Sequence, residues 1–131
     1  MSAIRPVQAF YDAVASGDIP GILALLHPNL AWTEAAGFPY FSGTCRQPQE
    51  VIEKVLIPLG RDWDKFSVTP EEFLVDGDRV VTFGAYSGIA KATGEPMHAP
   101  FAHRWQIRDD KLARFDMYTD TLLIHRGMHR A

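Results

Sequence analysis

The spacing of apolar residues predicts that the first third of the chain is largely helical. Val7, Phe10, Tyr11 and Val14 recur three and four residues apart, which is typical of one face of an amphipathic helix. Asp18 follows a Ser-Gly break and is a good N-cap for a second helix, in which Pro20 sits in the first turn. A link this short predicts that the two helices pack as a hairpin.

The pattern changes to long β-strands after a third predicted helix over 51–57, which a following proline and glycine end. Strands are predicted over the ranges 63–74, 80–92, 100–107 and 112–123. Helices followed by a run of strands favour an α+β fold. We therefore predict a cone-shaped α+β barrel, with three N-terminal helices packed on a strongly curved antiparallel sheet. The predicted core comprises Phe10, Val14, Leu23, Leu26, Val51, Val55, Phe83 and Phe115.

Composition narrows the class of protein. The 131 residues fit a single domain, 1–131, and 47% of them are apolar. Thirteen basic and 16 acidic residues give a net charge of −3, which disfavours nucleic-acid binding. No leader pattern and no apolar run of membrane-spanning length is visible. With Cys45 as the sole cysteine, we expect a cytoplasmic protein that neither contains an internal disulfide nor contacts a membrane.

Two regions carry candidate chemistry. Glu34 follows Trp32 in an apolar stretch, where a carboxylate at the mouth of a cavity would have a raised pKa; the alternative is a surface glutamate. His103 and Trp105 share one strand face, which fits either a pocket lining or a core histidine. Tyr118 and Asp120 likewise share a face on the last predicted strand, and a strand-end cap or a salt bridge is the alternative for the aspartate. The pocket residues are predicted to include Phe10, Trp32, Tyr40, Trp105 and Tyr118.

Other residues are assigned to less specific roles. Phe38, Tyr40 and Phe41 lie on a glycine-flanked loop that either gates the pocket or packs back on the core. His125 and His129 are spaced like metal ligands, but neighbouring arginines favour a solvated basic tail, and no metal site is predicted.

Several motifs together resemble the nuclear transport factor 2-like superfamily, and within it the SnoaL-like polyketide cyclases and ketosteroid isomerases. They cover nearly the whole chain in the family's order. The motifs are Phe10-Tyr11-x5-Gly17-Asp18-x4-Leu23-x2-Leu26, Pro39-Tyr40-x2-Gly43, Asp76-Gly77-Asp78-Arg79-Val80-Val81, Thr93-Gly94, Phe101-x-His103-x-Trp105 and Phe115-x2-Tyr118-x-Asp120-Thr121.

The resemblance implies functional roles as well as a fold. Asp120 and His103 best match the acid/base residues of the cyclases, and Glu34 falls near the catalytic carboxylate of the isomerases. Phe10 and Ala102 occupy the positions of the isomerase hydrogen-bond donors, so steroid isomerisation by that route is disfavoured. Members commonly form homodimers, and a homodimer is therefore expected here.

The turn at Asp109-Asp110 predicts a register for the last two strands. A tight two-residue turn would place His103 opposite Asp116 and on the same face as Asp120, with Asp116 the nearer partner of the imidazole. A β-bulge would shift that register by one residue and invert a face.

We therefore expect a cofactor-independent acid/base enzyme acting on a small hydrophobic carbonyl compound, of the isomerase or aldol-cyclase type. The alternative is a non-catalytic module of the same fold, which binds a small apolar ligand or serves dimerisation.

Overall fold

A computed structural model describes residues 2–40 and 43–129 and has the predicted α+β class. The helices are α1 (Ile4–Ser16), α2 (Ile19–Leu25), α3 (Pro48–Val51), α4 (Ile57–Asp62) and α5 (Thr121–Met128). The strands are β1 (Leu26–Thr33), β2 (Thr44–Cys45), β3 (Trp63–Asp76), β4 (Arg79–Ala90), β5 (Pro96–Arg108) and β6 (Lys111–Thr119). A π-helical turn, Ile52–Leu56, joins α3 to α4, so the predicted third helix is confirmed and extends to Asp62. No helix in the described ranges has the length and apolar character needed to cross a bilayer.

The strands in the described ranges form one open, curved sheet in the order β2-β1-β6-β5-β4-β3. Strands β3 to β6 pair antiparallel as predicted, whereas β1 runs parallel to β6, with Trp32 beside Phe115. The pairing of β3 with β4 is irregular at two points, and the backbone approaches Gly84 so closely that a Cβ there would collide with the Thr69 carbonyl oxygen. Both features are typical of a bent sheet. The curvature gives the sheet a concave face.

Helix α1 and the α3–α4 segment cover that concave face and close the core. Most predicted core residues are buried, while Val14 and Leu23 are half-buried. The prediction for Phe83 is wrong, since its side chain is 40% exposed. On β4, Thr82 and Tyr86 point inward, so Phe83 faces the opposite side of the pleat.

The end of the chain departs from the predicted fold. The last strand stops at Thr119, and α5 begins where a strand to 123 was expected. Asp120 is the N-cap of α5, since its carboxylate accepts a hydrogen bond from the Leu123 backbone N–H at 3.4 Å. The predicted solvated tail is therefore largely helical. His125 Nε2 donates a 2.7 Å hydrogen bond to the Gly37 carbonyl oxygen, because a carbonyl oxygen can only accept.

Candidate functional site

A cavity of about 40 Å³ lies between the concave face of the sheet and the helices that cover it. Its wall is mostly aromatic and aliphatic. Three titratable side chains also reach it: Glu34, Tyr86 and His103. The apolar part of the lining is formed by Phe10, Val14, Trp32, Phe38, Val55, Leu56, Leu59, Phe66, Val68 and Phe115. An apolar cavity with a few convergent polar groups is the usual form of a small-molecule site.

Glu34 is brought to this cavity by the end of strand β1. Trp32 and Glu34 are two residues apart and face the same way, and the indole Nε1 donates a 2.9 Å hydrogen bond to Oε1 of Glu34. Glu34 is only 7% exposed. Burial raises the pKa of its carboxyl from 4.5 to about 7, although the bond from Trp32 opposes the shift. The predicted raised pKa is therefore present, and the surface alternative is wrong.

His103 sits at the centre of a hydrogen-bonded chain of side chains. Its Nδ1 lies 2.6 Å from the Tyr11 hydroxyl, and its Nε2 lies 2.5 Å from the Tyr86 hydroxyl. The Trp105 indole donates to the Tyr11 oxygen at 3.2 Å. The Phe101 ring stacks on the imidazole with centroids 3.9 Å apart. Burial lowers the pKa of His103 well below its usual value, so the imidazole is neutral.

The donor–acceptor order along this chain depends on which nitrogen of His103 carries the proton, and the tautomer with the proton on Nε2 is consistent with the Trp105 contact. Indole N–H groups only donate, so the Tyr11 oxygen accepts from Trp105 and its own O–H is available for Nδ1 of His103. A neutral imidazole that accepts at Nδ1 carries its proton on Nε2 and donates it to the Tyr86 oxygen. Tyr86 has no second hydrogen-bond partner among the described residues. In this tautomer the Tyr86 O–H is left without an acceptor among the described residues, and Tyr86 is part of the cavity lining.

A β-bulge determines which residues of β6 reach the site. The turn at Asp109-Asp110 forms as predicted, with positive φ at both residues and Arg108 opposite Lys111. The register then shifts by one after Leu112, so that His103 lies opposite Met117. The expected pairing of His103 with Asp116 is therefore wrong. The Asp116 carboxylate instead accepts a 2.8 Å hydrogen bond from Arg114 Nε on the other face.

The same shift moves two further predicted residues away from the cavity. Tyr118 is 57% exposed on the outer face, and the exposed Asp120 carboxylate caps α5. The expectation that Asp120, Tyr118 and His103 border one cavity is therefore wrong. The physical reason is the extra residue, Ala113, which inverts the alternation of the strand from that point on.

The remaining predicted pocket residues lie in or behind the cavity wall. Phe10 and Trp32 line it, whereas Trp105 is fully buried and contacts the site through Tyr11. Tyr40 is also buried, and its hydroxyl donates to Asp62 at 2.9 Å and accepts from Trp63 at 3.1 Å. Tyr40 therefore anchors its loop rather than lining the cavity.

That loop packs back on the core over the part that the structure describes. Phe38 is buried and lines the cavity, with its ring centroid 5.3 Å from that of Tyr40. Phe41, the third aromatic residue of the predicted lid, lies outside the described residues. Cys45 is buried beside Trp32 on the neighbouring strand, and burial raises the pKa of its thiol, which opposes formation of a reactive thiolate. Within 2–40 and 43–129, no three His, Cys, Asp or Glu side chains are grouped as metal ligands would be.

Tyr86 and Tyr11 are site residues that the sequence analysis did not single out for chemistry. Tyr86 lies on the same inward face of β4 as Val80 and Thr82, so the alternation along this strand could have predicted that its side chain faces the interior. The hydrogen bonds to His103 join residues 17 and 92 positions apart, and no local pattern encodes such contacts.

Residues 7–115 match the SnoaL-like domain family, and the chain belongs to that family. A crystal structure of a nuclear transport factor 2-like protein from Burkholderia thailandensis E264 is 32% identical, with a TM-score of 0.93 and 98% of each chain covered. TerC, co-crystallised with polyporic acid, is 29% identical, with a TM-score of 0.85 and coverage of 95% of this chain and 96% of TerC.

A more distant structure extends the likeness of fold. A protein with a ketosteroid isomerase-like fold from Catenulispora acidiphila DSM 44928, in complex with trimethylamine, is 17% identical with a TM-score of 0.80. The likeness covers 95% of this chain and 94% of that one, and it establishes the fold alone. No curated protein matches the sequence significantly.

Proposed function

We propose that the protein is an acid/base enzyme that moves a proton next to the carbonyl group of a small hydrophobic compound. The observation that carries this proposal is that Glu34 and Tyr86 line one apolar cavity. A base with a pKa near neutrality and a donor for a developing oxyanion are the two groups that enolisation requires.

The reaction begins with the Glu34 carboxylate, which removes a proton from the carbon beside the carbonyl. The C–H electron pair forms the carbon–carbon double bond of the enolate, and the carbonyl π pair moves to oxygen. That oxygen accepts a hydrogen bond from the Tyr86 O–H. With a β,γ-unsaturated compound, the enolate oxygen re-forms the carbonyl, the double bond shifts into conjugation, and Glu34 delivers its proton to the γ-carbon, which is isomerisation. In aldol cyclisation the enolate carbon instead attacks a second carbonyl carbon, and the alkoxide that forms there takes the proton from Glu34.

His103 acts as a positioning residue in this scheme. It is neutral, and both of its nitrogens are engaged by tyrosine hydroxyls, so it is neither a free base nor a free acid. Its Nε2–H occupies the Tyr86 oxygen and leaves the tyrosine proton for the substrate. The hydrogen-bond donor to the enolate is thus Tyr86 on β4. It replaces the donors of the isomerases, whose positions are occupied here by Phe10 and Ala102.

The similarity to TerC supports a small organic ligand, since that protein was co-crystallised with polyporic acid. The aromatic wall supports an apolar ligand, because aromatic rings bury large apolar areas. At about 40 Å³ the closed cavity is smaller than typical ligand sites, so substrate binding requires half-buried wall side chains such as Leu56 and Leu59 to move.

Exchange of α-hydrogens for deuterium tests the proposal without knowledge of the natural substrate. β-Tetralone and a panel of alkyl ketones are incubated with the protein in D₂O, and exchange is followed by NMR. We expect the protein to accelerate exchange, with a rate that rises with pH through about 7, where Glu34 ionises. Glu34→Gln should lower the catalysed rate by roughly 10²–10⁴-fold.

The matched control is Asp120→Asn, which makes the same carboxylate-to-amide change at the exposed cap and should retain the catalysed rate. If ketones bind, as shown by tryptophan fluorescence, but none exchanges faster than in buffer, the protein is a binding module and the proposed activity is wrong. Equal losses in the two variants would also contradict the assignment of Glu34.

A further inference from the structure

A second concavity, the outer groove, opens beside the cavity between the α1–α2 corner and α4. It has a volume of about 230 Å³. Gly17, Ile19 and Ile22 form one side, and Gly60 lies on the other. None of the described residues that line the outer groove carries a charged or hydrogen-bonding side chain.

The outer groove and the cavity share part of their walls. Val14, Leu56, Leu59, Phe66 and Val68 line both spaces, and all five are half-buried rather than locked in the core. Rotation of these side chains would therefore join the two spaces into one. The joined space would have all its titratable groups at the inner end and only apolar side chains at the outer end.

We propose that the outer groove is a subsite for an apolar chain attached to the carbonyl compound. The ligand class is then a carbonyl compound with an alkyl or arylalkyl tail, whose carbonyl end lies by Glu34 and Tyr86. The placement of the carbonyl end rests on the proposed function, whereas the apolar subsite rests on the lining of the outer groove. The tail fits because a chain without polar groups loses no hydrogen bonds when it leaves water, and the groove offers none.

Gly60 is the specificity-determining position of this subsite. It belongs to α4, and a Cβ built there has no atom within 4 Å, so a larger side chain can be added without a clash. Leucine at this position would occupy part of the outer groove and leave the inner cavity untouched. Gly60→Leu therefore separates tail binding from carbonyl binding.

Methyl ketones whose alkyl chain grows one methylene at a time provide the test. Their Kd values are measured by tryptophan fluorescence and calorimetry. In the wild-type protein we expect affinity to rise about fourfold per methylene until the outer groove is filled. Gly60→Leu should weaken binding of the long ketones about 16-fold, as expected if roughly two methylenes are displaced, and should leave butanone unchanged.

The control variant Gln8→Leu adds the same side chain at an exposed position of α1 and should keep the wild-type chain-length dependence. Affinity that does not depend on chain length, or an equal loss for short and long ketones in Gly60→Leu, would overturn the proposal. A change in oligomeric state by light scattering, without a change in chain-length dependence, would instead identify the outer groove as a contact between copies.

The two proposals fail in different ways. Chain-length-dependent binding without α-hydrogen exchange would retain the apolar subsite and reject the enzymatic function. Exchange that is equally efficient for short and long ketones would retain the enzymatic function and reject the subsite.

Discussion

The two faces of the sheet carry similar functional groups in opposite environments. On the concave side, Glu34 and Tyr86 are buried at an apolar cavity. On the β6–α5 side, Asp120 and Tyr118 are exposed to solvent. A carboxylate and a phenol are present in both places, but burial raises the pKa of the Glu34 carboxyl toward neutrality and removes the water that competes for a hydrogen bond. Residue type alone therefore does not identify the reactive pair.

The largest expected effect is a difference in catalysed exchange rate between substitutions at Tyr86 and at Tyr118. Tyr86→Phe removes the cavity donor and should reduce the catalysed exchange rate by about 10²–10³-fold, as loss of one oxyanion donor does. Tyr118→Phe makes the same change at a side chain that is 57% exposed and should leave the rate unaltered. NMR exchange rates at saturating ketone measure both. Similar rates in the two variants would remove Tyr86 from the proposed mechanism.

The second prediction concerns stability and pH. The folded-state pKa of Glu34 is raised from 4.5 to about 7, so its protonated form stabilises the fold below pH 4.5 and that contribution is lost as pH rises through about 7. Relative to Glu34→Gln, which does not titrate, the wild-type free energy of unfolding should fall by about 3 kcal/mol across this window. Urea unfolding of both proteins from pH 4.5 to 8 measures the difference. A constant difference would mean that Glu34 titrates normally.

The third prediction tests the structural role of Asp120. Asp120→Ala removes the N-cap of α5 and should cost about 1 kcal/mol, whereas Asp120→Asn keeps a capping side chain and should be nearly neutral. Chemical denaturation measures both variants. If Asp120→Ala kept its stability but lost exchange activity, the assignment of Asp120 as a helix cap would be wrong and its predicted catalytic role would be supported.

The smallest expected effect is at Phe10. Its ring borders the cavity, so the hydroxyl added by Phe10→Tyr has space and polar neighbours. We expect a loss below about 1 kcal/mol in the free energy of unfolding, measured by thermal and urea denaturation. A loss of about 1–3 kcal/mol would show that the ring is close-packed and the new hydroxyl unsatisfied.

Local signals in the sequence predicted the elements whose structure depends on neighbouring residues. The helix face of α1 and the turn at Asp109-Asp110 follow from spacing and turn chemistry, and both are present. Glu34 was expected at a cavity because its neighbours Trp32, Ala35, Ala36 and Phe38 are apolar, and it does line the cavity. Family resemblance alone selected Asp120 as the catalytic aspartate, while its capping of α5 depended on a local Asp-Thr-Leu-Leu signal that the strand interpretation overlooked.

Long-range contacts account for what could not be predicted. The Tyr11–His103–Tyr86 chain joins α1, β5 and β4, and its geometry depends on the curvature of the whole sheet. The β6 register did leave a trace in the sequence. Leu112 and Phe115 are both apolar although they are three positions apart, and regular alternation cannot bury both.

The bulge at Ala113 makes β6 unusually sensitive to chain length. Deletion of Ala113 would exchange the inward-facing and outward-facing residues of the strand beyond it. Phe115 and Met117 would then face outward, and Asp116 and Tyr118 would face the interior. One codon thus decides whether β6 contributes Phe115 and Met117 to the interior or adds a second carboxylate and a second phenol to it. Among relatives with this sheet, an insertion or deletion between the hairpin turn and Phe115 would change ligand chemistry more than any single substitution in the cavity wall.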